Sequence, residues 1–420
     1  MRIEVINTGT ELMLGQVVNT HLGYFGERLL ELGLRIARQT CVPDGDPIRE
    51  VLVESIQRSD VILVTGGLGP TSDDLTREIT AELFGMELQL DEEAMAAIEA
   101  RFARMQKVPN ENNRRQAMVP DGARILHNDR GTAPGLHFPQ DAEAGRPAIF
   151  LLPGPPRELH PMFEEQVLPV VKEMMVAAGT EVPDRQEYYF YGIGESDMAA
   201  KLDPTLGGIA GLELGYCIKN GGVIVRGIGG GEVLGQMDPV VRAAFPENLV
   251  SDDGRTMEEV VVQMLAGRGE WLSTAESCTG GFIAHKVTMV SGSSGVFGRG
   301  FVTYANEAKT ELIGVPQGLL VEHGAVSEPV ARAMAEGCLD ASGADHAVAV
   351  TGIAGPTGGS DEKPVGTVFI GQASKGGETV VVRKLIQSDR ETFKVRTTQA
   401  ALDLVRRRML GLGGLGLGLF

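Results

Sequence analysis

The chain is poor in the residues that mark several protein classes. It holds four cysteines in 420 residues, Cys41, Cys217, Cys278 and Cys338, far apart and with no C-x-x-C or His-Cys cluster. That spacing indicates neither a disulfide framework nor a structural zinc site. No apolar run is long enough to span a bilayer, and the opening MRIEVINTGTELM sets acids among short apolar stretches, unlike a signal-peptide core. Basic charge is also scarce: 38 Lys and Arg stand against 56 Asp and Glu, a formal net charge of −18. Such a balance argues against broad contact with nucleic acid or anionic membranes, but not against a small anion in a local basic or amide-lined pocket. A reducing cytoplasm is the expected compartment.

What remains is a soluble globular composition, 43% hydrophobic and 22% charged, in a chain long enough for two or three domains. The first part alternates strand and helix patterns: RIEVINTG, THLGYFGERLLELG, RSDVILVTGG, SDDLTREITAELFG and PAIFLLPGPPREL. This alternation predicts an α/β domain whose parallel sheet is covered on both faces and binds ligands at its strands' carboxyl ends. Residues 180–250 change character and predict a small α+β module, with a hairpin turning at Asn220-Gly221. Its stretch GIGGGEVLG fails the G-x-G-x-x-G nucleotide pattern and reads as a flexible loop. An interdomain joint follows, with a helix from near Thr256, then a third alternating segment to about residue 410 and a Gly-rich ending.

The stretch STAESCTGGF, residues 273–282, lies where a strand pattern gives way to a helix pattern. Ser and Thr there have two readings: caps of the helix, or a nucleophile beside amides that stabilise an oxyanion. Downstream, a Ser/Gly-rich loop, a strand ending at Tyr304, a helix carrying Lys309 and the loop TGIAGPTGGSDEKPVG could meet it at one end of a sheet. Hydroxyls, backbone amides and a lysine suit attack on an amide, provided burial or a nearby cation keeps the lysine neutral. Lys309 otherwise reads as an exposed helical lysine. Cys278 reads as a buried structural residue, because neighbours at a strand end face different ways.

The motifs TAESCTGG, SGSSGVFGRGFVTYANEAK, GAVSEPVARAMAEG, TGIAGPTGGSDEKPVGTV and DRETFKVR resemble, in order, the C-terminal domain of the CinA family, the nicotinamide mononucleotide amidohydrolases. The resemblance implies a metal-free Ser–Lys deamidase, with Ser277 as nucleophile and Lys309 as general base. It places Tyr304, Thr279, Ser294 and Thr351 around the pocket and the amides of Thr279, Gly280 and Gly281 at the oxyanion. Arg390 and Arg396 are either ligands of the ribose phosphate or a solvated helix face. Ser388 departs from the glycine frequent in the family before DR.

A second turn, VTGGLGPTSDDLTRE, also follows a strand. Gly66, Gly67 and Gly69 permit close approach to a phosphate, while Thr71, Ser72 and Asp73 can cap the next helix. Asp73 and Asp74 beside a phosphate call for a divalent cation; the other reading is an N-cap aspartate with a solvated neighbour. With NTGTELMLGQVVNT, NENNRRQAMVP, NDRGTAPG and LLPGPPREL, this region resembles the CinA N-terminal domain, of the molybdopterin-binding fold shared with MoaB- and MogA-like proteins. The resemblance implies metal-dependent hydrolysis of ADP-ribose, with Asp73, Asp74 and Glu11 at the metal and Asn112, Asn113, Arg114 and Arg157 near the substrate. The middle module resembles the KH-like segment of the family; overall acidity points away from RNA. The expected organisation is a MoaB/MogA-like domain over 1–172, a KH-like module over 173–252, a deamidase domain over 255–412 and a tail over 413–420. A homodimer is implied. A pterin-like ligand or a protein partner is the alternative role for the N-terminal domain.

Overall fold

The computed structural model describes residues 1–179 and 182–412, so the expected tail lies outside the described residues. The chain forms two compact units, Met1–Val182 and Pro183–Phe420. Helix Leu168–Ala177 runs through the boundary expected at 172.

In the first unit the strands are β1 (Ile3–Thr8), β2 (Ile36–Val42), β3 (Val61–Thr65), the short pair β4 (Leu88–Leu90) and β5 (Met118–Pro120), then β6 (Arg124–Leu126), β7 (Gly135–Phe138) and β8 (Ala148–Leu152). The main sheet has the order β2-β1-β3-β8-β7-β6. β2, β1, β3 and β8 are parallel, as the alternation predicts. β7 and β6 are antiparallel, which corrects the all-parallel expectation; their short connections contain no crossover helix. β3 and β8, VILVT and AIFLL, are buried throughout. Alternate residues feed opposite faces: Val61, Leu63 and Phe150 pack with Phe25 and Phe163, whereas Ile62, Val64 and Ile149 pack with Ile48 and Leu52. The strand order reverses beside β1, opening a crevice at the carboxyl ends of β1 and β3.

In the second unit, β9 (Asp184–Tyr191), β10 (Glu213–Lys219), β11 (Gly222–Gly229) and β12 (Leu249–Ser251) form an antiparallel sheet of order β10-β11-β9-β12. The hairpin turns at Asn220 and Gly221, both left-handed with φ 53° and 78°, as a two-residue primed turn requires. The Gly-rich stretch is not a loop. Gly227–Gly229 finish β11, Gly230 caps a helix, and Gly231–Ala244 is that helix. A side chain at Gly227 would run into Met237 of the helix, so this glycine serves close packing rather than flexibility.

The third sheet contains β13 (Leu272–Glu276), β14 (Phe297–Val302), β15 (His346–Gly352), β16 (Thr367–Ser374) and β17 (Val380–Leu385). Its order is β14-β13-β15-β16-β17, parallel among the first three and antiparallel thereafter. Again the order reverses beside the first strand of the sheet, β13. The preceding helix, Met257–Arg268, begins with the capping box Thr256/Glu259, close to the expected start. The last helix, Arg390–Met409, packs Phe393, Ala401 and Val405 into the core with Val348, Val350 and Ile370. It also grips the middle module: Arg406 is buried and donates from Nη1 to Leu249 O at 2.9 Å and from Nη2 to Glu247 O at 3.1 Å. No helix among the described residues is long and apolar enough to cross a membrane.

Candidate active site

Ser277 follows the last residue of β13, and its amide donates to Val350 O of β15 at 3.0 Å. Lys309 comes from helix Asn306–Ile313, after β14. The two meet: Lys309 Nζ lies 3.2 Å from Ser277 Oγ. The amine also donates to Thr303 O at 2.9 Å and Tyr304 O at 3.5 Å, so its three partners are neutral oxygens. Lys309 is only 1% exposed, and burial lowers its pKa from the ordinary lysine value; the Cys278 and Glu307 side chains oppose that effect less strongly. This arrangement favours a neutral amine able to take a proton from the hydroxyl beside it. The surface-lysine reading is therefore excluded.

The helix-cap reading of the turn is also excluded. Helix Phe282–Thr288 has Gly281 as its N-cap, with no side-chain cap. Its N-terminal donors go instead to Glu276, which is buried at 1% exposure. Glu276 Oε2 accepts from Thr279 Oγ1 at 2.7 Å, Ile283 N at 2.9 Å and Gly281 N at 3.0 Å. Oε1 accepts from Ala284 N at 2.8 Å and Thr274 Oγ1 at 3.3 Å. A negative side chain thus fills the helix N-terminus where a substrate oxyanion was expected. Sequence reasoning missed Glu276, because a glutamate inside a strand pattern reads as a solvent-facing residue.

This corrects part of the expected pocket. The Gly281 amide is committed to Glu276, and the Gly280 amide donates to Ser277 O at 3.1 Å. Thr279 is fully buried with its hydroxyl turned to Glu276. Neither the Cys278 nor the Thr279 amide enters a backbone–backbone hydrogen bond among the described residues; both lie against the buried Cys278 sulfur. Thr351 stands at the correct end of β15, but it is buried and its hydroxyl donates to Ala325 O at 2.8 Å, tying down a neighbouring loop. Ser294 lies at the wrong end of the sheet: it precedes β14, whose Phe297 pairs with the first residue of β13, Leu272. Cys278 is buried, and burial pushes its thiol up to about 12, which silences it as a nucleophile.

Tyr304 and Arg390 come together. Arg390 Nη2 donates to Tyr304 Oη at 3.0 Å, and Nη1 donates to Gly355 O at 2.8 Å. Tyr304 is largely exposed, and β14 ends two residues before it. Lys394, one helical turn after Arg390, was missed by the sequence reading; a Cβ built on Gly280 would lie 3.9 Å from its Nζ. Its spacing of four from Arg390 was the available signal. Arg396 does not join this group. It lines a separate cavity beside β9, β11 and β17.

In the first unit, the crevice at the ends of β1 and β3 is a cavity of about 400 Å³, whose lining includes Thr8, Glu11, Asp44, Asp73, Gln116 and Glu158. Asp44, Gln116 and Glu158 were not anticipated. Side chains at Gly66, Gly67 and Gly69 would strike Thr8, Thr76 and Asp74 respectively, so these glycines accommodate the protein's own atoms. The helix starts at Thr76 with Leu75 as an uncapped N-cap, so Thr71, Ser72 and Asp73 do not cap it. Asp74 accepts from the Thr71 amide at 2.9 Å and from the Thr71 hydroxyl. Asp73 is exposed. Asn113 is buried in a capping box with Asn110 and donates to Gln116 at 3.2 Å; it supports the crevice without lining it. Asn112, Arg114 and Arg157 are exposed outside the lining, whereas Arg115 reaches Thr71 O at 3.2 Å. Among the described residues no three or more His, Cys, Asp or Glu are grouped to hold a metal ion. Asp74 is engaged by Thr71, and Glu11, Asp73 and Asp74 all line the cavity.

Comparison with known proteins places both regions. Residues 254–409 match the model of the CinA C-terminal domain, and residues 4–173 that of the "Probable molybdopterin binding domain". A CinA-like protein of Akkermansia muciniphila is 47% identical over 402 residues, covering 96% of each chain. A CinA-like protein of Kosmotoga olearia is 37% identical over 420 residues, covering 98% of this chain and 100% of its own. Among solved structures, the competence/damage inducible protein CihA of Agrobacterium tumefaciens is 40% identical, covering 38% of this chain and 96% of its own, with a TM-score of 0.35.

Proposed function

The chain belongs to the CinA family, and from that premise we propose that its C-terminal domain deamidates nicotinamide mononucleotide. The observation that carries the reading is the buried Lys309 amine 3.2 Å from Ser277 Oγ, with no carboxylate among its partners. The neutral amine takes the Ser277 proton while Oγ attacks the carboxamide carbon. On collapse, the Lys309 ammonium returns the proton to the leaving nitrogen, and ammonia departs. Water, deprotonated by Lys309, then cleaves the Ser277 ester and releases nicotinate mononucleotide. Arg390 and Lys394 are the cations placed for the substrate phosphate, and the Tyr304 hydroxyl, which accepts from Arg390, keeps its own proton for the substrate. Hydroxylamine tests the covalent step: it diverts part of the acyl group to a hydroxamate in wild type, and Ser277→Ala yields neither hydroxamate nor ammonia. Undiminished ammonia release from Ser277→Ala would overturn the proposal.

For the N-terminal domain we propose hydrolysis of the ADP-ribose pyrophosphate to AMP and ribose 5-phosphate. Its support is the carboxylate-lined crevice at the strand-order reversal. A divalent cation fits there only in company with the substrate's phosphates, whose charge it would neutralise; Asp73 and Glu11 are the carboxylates open to it. Magnesium-dependent AMP formation, lost in Asp73→Asn, tests this reading. No AMP from folded wild type, with a fluorescent pterin co-purifying, would favour a binding role instead.

A further inference from the structure

Arg396 was expected at the substrate phosphate, but it faces a different space. A cavity of about 120 Å³ lies between the middle module and the C-terminal sheet, within one compact unit. Tyr191, Ile193, Ile218, Val223 and Ile386 give it apolar walls, and Lys384 and Arg396 bring two basic groups to it. The Lys384 amine sits 5.9 Å from the Tyr191 ring centroid. Burial lowers its pKa, against a smaller opposing effect of Asp403. Neither Lys384 nor Arg396 has a hydrogen bond or ion pair with another described residue. Glu195, the acid in the lining, is exposed in the first turn of helix Glu195–Leu206.

We propose that this cavity binds a ring-sized organic monocarboxylate. The Arg396 guanidinium stays charged beside apolar walls without a bonded counter-charge, and the Lys384 amine, whose pKa burial lowers, is a second donor whose protonated form an incoming carboxylate would favour. A carboxylate supplies the missing charge, and Arg396 can meet it with two parallel donors. The apolar walls and the Tyr191 ring reward a flat hydrocarbon body, which inorganic anions lack. At about 120 Å³ the cavity is smaller than the roughly 150 Å³ that encloses benzene, so it takes the carboxylate end and part of a ring, with the rest beside exposed Ile218, which lines it. A nucleotide is too large. The site is separate from the Ser277–Lys309 pair and stands whether or not the deamidase reading holds.

Benzoate is the probe, titrated calorimetrically into the full chain, with neutral benzamide of the same shape as control. Saturable benzoate binding is expected, with benzamide weaker by about ten-fold or more, the loss of a charged hydrogen-bonded pair. The double variant Lys384→Met, Arg396→Met weakens benzoate by a similar factor, whereas Ser277→Ala leaves it unchanged. Ile218→Trp retains both basic groups and fills the space from an exposed position; it blocks binding, and it decides the matter if the double variant fails to fold. No benzoate binding, equal binding of benzamide or inorganic phosphate, or unchanged binding in Ile218→Trp would overturn the proposal.

Discussion

Glu276→Gln keeps the shape of the Glu276 side chain and changes only its chemistry. In the wild type both carboxylate oxygens accept, three donors reaching Oε2 and two reaching Oε1. Glutamine offers one oxygen and one NH₂. With the oxygen in the Oε2 position, the NH₂ faces the Ala284 N–H, leaving a donor against a donor; an unpaired buried group costs about 1–3 kcal/mol. The three remaining bonds lose their charged acceptor and weaken by roughly half. The helix N-terminus also loses its anion, worth about 0.3–1 kcal/mol. The total is on the order of 4 kcal/mol, which lowers the melting temperature of a unit this size by roughly 10 °C. Because Glu276 precedes Ser277 and fixes its turn, kcat falls as well; a misplacement of about 1 Å costs on the order of 100-fold. Calorimetric melting and ammonia release read the two effects. A Glu276→Gln protein melting within about 2 °C of wild type would refute the claim that five donors need a carboxylate.

Further outcomes follow from the same geometry. The kcat/KM for deamidation falls as pH drops through the lowered pKa of Lys309, giving an acid limb below the ordinary lysine value of 10.5. By linkage, the stability from this group is fully present above its unfolded pKa and is lost as pH falls through the folded one, so Lys309→Met flattens that slope in pH-dependent melting. Cys278, with its thiol pushed up to about 12, resists iodoacetamide at pH near 8 in the native state and reacts after denaturation. Arg390→Met and Lys394→Met raise KM for nicotinamide mononucleotide by about ten-fold or more each, but leave turnover of nicotinamide riboside unchanged; equal losses on both substrates would refute their phosphate role.

Legibility in the sequence tracked how local the physics was. The Asn220-Gly221 hairpin and the Thr256/Glu259 capping box depend on a few neighbouring residues, and the pattern located both. The strand-to-helix turn at Ser277 was readable for the same reason. Its pairing with Lys309 spans 32 positions and required the order of motifs rather than any single one. Errors arose where an atom's partner is distant in the chain. The Thr351 hydroxyl looks free in sequence but is bound to Ala325 O, 26 positions away; the Thr279 hydroxyl is the exception, misjudged although its partner Glu276 is only three residues back. Ser294 belongs to the right loop but the wrong end of a parallel strand, a distinction that register alone settles. Arg390 and Arg396 are six residues apart on one helix, enough to send one to Tyr304 and the other to a different cavity. Of the glycines in GIGGGEVLG, read as a loop, Gly227 and Gly229 are the close contact between a strand and a helix.

The most direct test is ammonia release from nicotinamide mononucleotide in the presence of EDTA, compared among wild type, Ser277→Ala, Lys309→Met and Cys278→Ala. The account predicts EDTA-insensitive activity in wild type and Cys278→Ala, and none in folded Ser277→Ala or Lys309→Met. Activity that survives in Lys309→Met, or disappears only in Cys278→Ala, would contradict it.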